Sequence, residues 1–182
     1  DEREKIEKRI RELLKEDKEH TRRNEEKIRR LLDTNRRLLE EIAKKIEEIA
    51  RELKERKKEN RTRETKDRKR RETRKKIEDL REEIERLSRK AEKDTERLER
   101  ENKDASRRNE ERLRELEKRI RDKGLNLEEI RKLVEDYRRE HEKLKRRNDE
   151  LLERYRRAHE EIKKRIDELV ERLEEILRKL AE

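Results

Sequence analysis

The chain's few apolar residues fall on a helical beat, and that beat decides what it folds into. Ile6, Ile10, Leu13, Ile28, Leu31, Leu38, Ile42, Ile46, Ile49 and Leu53 are separated by steps that resolve into threes and fours. Such steps keep one stripe on a helix. The stripe repeats after 18 residues: Ile10, Ile28 and Ile46 are so related, as are Leu13, Leu31 and Ile49. Leu80, Leu98 and Leu116 continue the pattern, as do Val134, Leu152 and Val170. Eighteen residues make five turns at about 3.6 residues per turn, so the seam does not drift around the helix. A strict heptad would force left-handed supercoiling; this period predicts nearly straight helices.

Two breaks divide the pattern. Gly124 suits the left-handed residue that closes a helix. Asn126 is placed to cap the next one, with Glu128 and Glu129 in its first turn against the dipole. The other break is polar. Residues 54 to 76 carry no apolar side chain, and across them the stripe changes phase by about 145° at 100° per residue. The expected break is Glu59-Asn60-Arg61-Thr62; the alternative is one polar helix running through the gap to join two bundles. The expected plan is a single domain over 1–182: a helix over 3–57, a basic connection over 58–70, a helix over 71–123, a loop over 124–126 and a helix over 127–181. The fold class is all-α, an elongated, nearly straight, antiparallel (up-down-up) three-helix bundle.

Polar residues interrupt the stripes at related heights. Adding 124 carries Asp17 to His141, Asn24 to Asn148 and Asn35 to His159, as expected for parallel first and third helices. The antiparallel middle helix should pair at a constant sum of residue numbers, matching Asn35 with Ser88, Thr21 with Asn102 and Asp17 with Ser106. The candidate buried polar network comprises His20, Thr21, Asn24, Asn35, Ser88, Thr95, Asn102, Ser106, Asn109, His141, Asn148, Tyr155 and His159, with Tyr137 nearby. Buried polar groups cost free energy unless hydrogen-bonded, so aligned layers are read as mutual partners that fix register. If an imidazole accepts when neutral, protonation removes the acceptor and adds charge, and acidification to about pH 5 loosens the bundle. Between Leu14 and Ile28 the first helix has no apolar residue, which predicts locally weak packing.

Composition limits the function. Charged residues make up 65% of the chain and apolar ones 25%, far from the near-half apolar content of a globular enzyme. With no Cys there is neither a disulfide framework nor a Cys-ligated metal site. Three His without a Glu-x-x-His pair on facing helices do not make a carboxylate-bridged metal bundle. Asp17 with a His resembles a catalytic pair, but the sequence offers no nucleophile, glycine-rich loop or oxyanion donor beside it. No catalytic residue, cofactor, metal, small-molecule ligand or membrane contact is expected, and without a targeting signal the chain should stay soluble, in the cytoplasm of an expressing cell.

Residues 51 to 76 hold 15 Lys+Arg against 6 Asp+Glu, a net of +9 out of the chain's +10. Nucleic acid would be bound there non-specifically if at all, since no aromatic is present for stacking. Asn60-Arg61-Thr62-Arg63 with Leu80 and Leu87 faintly resembles a basic leucine zipper. It lacks that family's alanines, and Asp94 stands where the next Leu belongs.

The near-uniform Glu, Lys and Arg surface, short loops and Leu/Ile seams broken by aligned Asn, Ser, Thr and His resemble de novo designed helical bundles with buried hydrogen-bond networks. That resemblance implies a structural role without catalysis. Its partners would be its own helices, or a second copy through the wide flanks Leu14, Leu32, Leu39, Leu133, Leu151 and Leu169. A pH-responsive oligomer and a polyanion-binding module through 51–76 are the alternatives.

Overall fold

A computed structural model describes residues 1–58 and 62–181. Three long helices account for nearly all of them: α1 (Glu2–Lys57), α2 (Arg63–Asp122) and α3 (Glu128–Ala181). Their interiors contain no Pro or Gly, and Glu, Lys, Arg, Leu and Ala are strong helix formers. Their ends carry specific caps. The Asp1 carboxylate accepts from the backbone N–H of Arg3 at 3.3 Å. The Thr62 carbonyl takes the first bond of α2, from the N–H of Lys66 at 3.1 Å.

The α2–α3 turn is built around Gly124, whose φ of 63° is the left-handed value. Leu125 N–H reaches back to the Ile120 carbonyl at 2.9 Å and Gly124 N–H to that of Arg121 at 3.2 Å, the paired bonds of a Schellman closure. Leu125 then packs on the apolar cluster that contains Ile120. Asn126 does not act as the expected cap: its Oδ1 instead accepts from Arg131 Nε at 2.8 Å.

The basic connection is shorter than expected. Residues 63 to 70 belong to α2 rather than to a loop, because a Lys/Arg-rich run without Gly or Pro loses nothing by continuing the helix once one apolar stripe holds the rest. Helix α1 ends at Lys57 and α2 starts at Arg63, so the continuous-helix alternative does not hold. Of the expected break, Glu59, Asn60 and Arg61 lie outside the described residues.

Packing falls into two compact units, Asp1–Arg30 with Thr95–Tyr155, and Leu31–Asp94 with Arg156–Glu182. Each takes a stretch from all three helices. In the first, Ile6, Ile10, Leu13, Leu113, Leu116, Ile120, Ile130, Val134 and Tyr137 form the core. Glu2 pairs with Arg119 and Glu16 with Arg112, so α1 and α2 are antiparallel; Arg3 pairs with Glu129 and Glu25 with Arg147, so α1 and α3 are parallel. In the second unit, Ile42, Ile46, Ile49, Ile77, Leu80, Ile84, Ile162, Ile166 and Leu173 lead the core. Lys45 with Glu83 and Glu52 with Lys76 again run antiparallel between α1 and α2, and Glu47 joins Arg172 of α3.

The apolar stripe is core nearly throughout, with one exchange. Leu38, placed in the stripe by spacing, is 37% exposed, and its neighbour Leu39 is buried instead. Buried Asn35 precedes Leu39 by four residues, so 35, 39, 42 and 46 form the seam and Leu38 falls outside it.

Candidate functional site

The densest polar arrangement lies in the first unit, next to the apolar cluster that ends at Leu13, Leu113 and Tyr137. Asp17 of α1 is 8% exposed, and its carboxylate faces both other helices. Asn109 Nδ2 of α2 donates to Oδ1 at 2.6 Å. From α3, the Tyr137 hydroxyl donates to Oδ2 at 2.8 Å and His141 Nδ1–H at 2.7 Å. Tyr137 and His141 are one turn apart, with rings stacked at a centroid distance of 5.6 Å. The far ring nitrogen, His141 Nε2, lies 3.3 Å from Glu110 Oε1 and 3.4 Å from Ser106 Oγ. Ser106 donates to Glu110 at 3.1 Å, and Lys145 Nζ closes the group on the same carboxylate at 3.4 Å.

Charge follows from this geometry. The hydrogen bond to Asp17 raises the His141 pKa above its ordinary 6.5, burial opposing it and Glu110 adding to it. Tyr137 is pushed far up by burial, then by its bond to Asp17. For Glu110, burial acts upward but is outweighed by the hydrogen bonds from His141 and Ser106 and the charge of Lys145, so its pKa is lowered. Both ring nitrogens of His141 therefore face acceptors, and the imidazolium is the form that fits. This reverses the expectation of a neutral, accepting imidazole, because the layer supplies a second carboxylate, Glu110, beside the Asp17 that the offset of 124 had matched to His141.

Asp17, His141 and Ser106 also stand in the order of carboxylate, imidazole and hydroxyl that hydrolases use, Ser106 being the hydroxyl that the constant-sum register had matched to Asp17. Its surroundings oppose that chemistry. Glu110 competes with Ser106 for Nε2 and, after Asp17, favours the protonated ring, which has no lone pair to take a proton. Ser106 lies within α2, where backbone N–H groups are spent on carbonyls four residues back, leaving none as oxyanion donors. No group of three or more His, Cys, Asp or Glu side chains among the described residues is arranged to hold a metal ion.

The remaining candidates form smaller pairs. Asn24 Nδ2 donates to Asn148 Oδ1 at 3.2 Å, joining α1 to α3. His20 Nε2 meets Asn102 Oδ1 at 2.9 Å, joining α1 to α2. Thr21, expected opposite Asn102, is buried with its hydroxyl unpartnered, as is Asn102 Nδ2. Asp17 meets Asn109 rather than Ser106, about one turn along α2, so the constant-sum register misses that pairing by a turn.

In the second unit, Lys90 Nζ rather than Ser88 reaches Asn35 Oδ1, at 3.4 Å, and binds Asp94 at 3.0 Å. Ser88 is half-buried there, while in the first unit Thr95 is half-buried and Tyr155 fully buried. His159 is buried with neither ring nitrogen hydrogen-bonded. Burial, then the charge of Lys163, lowers its pKa, with Glu160 and Glu92 opposing.

Sequence reasoning missed Glu110 and the pair Arg56 and Thr73. Arg56 Nη1 donates to Thr73 Oγ1 at 2.7 Å and to the Lys69 carbonyl at 3.2 Å, linking the end of α1 to the start of α2. Thr73 is 1% exposed. Its signal was present: it lies four residues before Ile77, in phase with Leu80 and Ile84.

A solved structure described as a computationally designed three helix bundle matches 98% of this chain and 87% of its own, with a TM-score of 0.61 and 22% identity. The chain is similar to it in fold: all-helical, three helices, one bundle. No protein-family model and no curated protein matches. No helix among the described residues is long and apolar enough to cross a membrane.

Proposed function

We propose that this chain is a designed structural bundle, a non-catalytic scaffold whose buried polar layers set the register of its helices. One observation carries the reading: the Asp17 carboxylate of α1 accepts at once from Asn109 of α2 and from Tyr137 and His141 of α3. Apolar seams of one period tolerate slippage by whole turns. A buried carboxylate does not, since a slip strands an ionised group without donors and costs about 3–5 kcal/mol. The fold's likeness to a designed three-helix bundle supports the same reading. So does the placing of carboxylates at both ring nitrogens of His141, which favours its protonated form and not proton abstraction from Ser106.

The test replaces the layer with apolar residues: Asp17→Leu, Asn109→Leu and His141→Leu together with Tyr137→Phe. Denaturant resistance should hold or rise, while uniqueness falls, with multiple amide resonances per residue or mixed masses. A single sharp spectrum and the parent mass would mean that the layer does not set register. As a second check, hydrolysis of p-nitrophenyl acetate should be equal in the parent and Ser106→Ala.

A further inference from the structure

The most uneven charge on the molecule lies where α1 closes and α2 opens, in the second unit. Arg56 pins the two segments together through Thr73 and Lys69, so both halves of the basic stretch gather at one end of that unit. The last turn of α3 adds Arg178 and Lys179, beside Leu177, which packs on the same core as Leu53 and Ile77. Arg51 and Lys54 on α1, and Lys58 in the turn just past its end, are exposed; on α2, Arg68, Arg71 and Lys75 are exposed at steps of three and four. The α2 set is thus a row along one helix face, about 10 Å long.

Most of this charge is not neutralised locally. Glu52 takes both Arg56 and Lys76. None of Arg51, Lys54, Lys58, Arg63, Lys66, Arg68, Arg71, Arg74 or Lys75 makes an ion pair among the described residues. Elsewhere pairs across helices are frequent, and the other 156 residues are almost neutral, the stretch holding +9 of the +10. Holding so many cations together is electrostatically unfavourable in the isolated chain, and a dense anion relieves it.

We propose that this end binds the phosphate backbone of double-stranded nucleic acid without sequence preference. Duplex DNA carries about one charge per 1.7 Å of its axis, a density that a row of cations on a helix face meets at several points. Arginine, which supplies five of the nine exposed cations just named (Arg51, Arg63, Arg68, Arg71 and Arg74), bonds phosphate oxygens in pairs. The absence of aromatic and apolar side chains over 54–76 removes base stacking and membrane insertion as sources of affinity.

The test is fluorescence anisotropy of a labelled 20-base-pair DNA duplex with the full chain across a salt series. Three phosphate contacts from the α2 row give a log–log salt slope of about −2.7, and more if α1 joins. Arg68→Glu, Arg71→Glu and Lys75→Glu together should weaken binding about tenfold or more at low salt and flatten the slope by about 2.7. The Gln triple at the same positions carries the test if the Glu triple loses helicity. Arg107→Glu, Arg108→Glu and Arg114→Glu change net charge equally in the first unit and should leave affinity within about twofold. Absent or salt-independent binding, an equal loss in that control, or binding to phosphatidylserine vesicles without duplex binding would overturn the proposal.

Discussion

His141 and His159 are the same residue type buried to similar extents on one helix, yet their surroundings give them opposite pH behaviour. His141 gains a buried carboxylate, so its pKa is raised. The stability it supplies is complete below about pH 6.5 and is lost as pH rises through its folded value. His159 is buried, with no hydrogen bond to its ring nitrogens, and its pKa is lowered by that burial and then by the charge of Lys163. Its protonation costs stability as pH falls from about 6.5 toward the folded value. Acidification therefore loosens the chain at His159 and not at His141. His159→Leu should stabilise the chain by about 1–3 kcal/mol near pH 7.5, the cost of stranded polar groups, and by more at pH 5. Urea unfolding at both pH values checks this; a gain that shrinks on acidification would contradict it. The offset of 124 made the Asp17–His141 and Asn24–Asn148 pairs legible in sequence. The charge state of His141 was not, because it depends on Glu110, an acid indistinguishable in sequence from dozens of surface ones.

Between elements, the two breaks differ in how plainly they are written. Gly124 has a positive φ, and a Cβ built there would meet nothing within 4 Å. Gly124→Ala should therefore cost only the left-handed backbone penalty, about 1–2 kcal/mol, read as a lower urea midpoint with unchanged slope. A loss above about 3 kcal/mol would mean that the turn does more than close α2. The break between α1 and α2 was legible only through the phase change, since a polar helix and a polar loop share one composition; Thr73, in phase with Ile77, marks where α2 already packs. Within α1, the seam from Asp17 to Asn24 is polar and Thr21 has no partner, whereas Leu39, Ile42, Ile46 and Ile49 are buried in one core. Amide exchange should be faster over 17–27 than over 38–53; equal protection would show that hydrogen bonds there compensate fully for missing apolar contact.

For the whole molecule, the question is whether the wide stripes are satisfied within one chain. Leu39 and Leu151 are buried, Leu14, Leu133 and Leu169 pack against the two cores, and only Leu38 and Leu127 among the large apolar side chains described are exposed. That leaves little apolar surface to drive association. Light scattering at neutral pH should give 23.1 kDa independent of concentration; a stable dimer would shift the reading toward self-assembly. In the proposed function, one carboxylate, that of Asp17, joins the three helices. The direct measurement is an NMR titration of the histidine side chains in the parent and in Asp17→Asn. His141 should titrate above 6.5 in the parent and fall in the variant, while His159 stays below 6.5 in both. A His141 that titrates at or below 6.5, unchanged by Asp17→Asn, would contradict it.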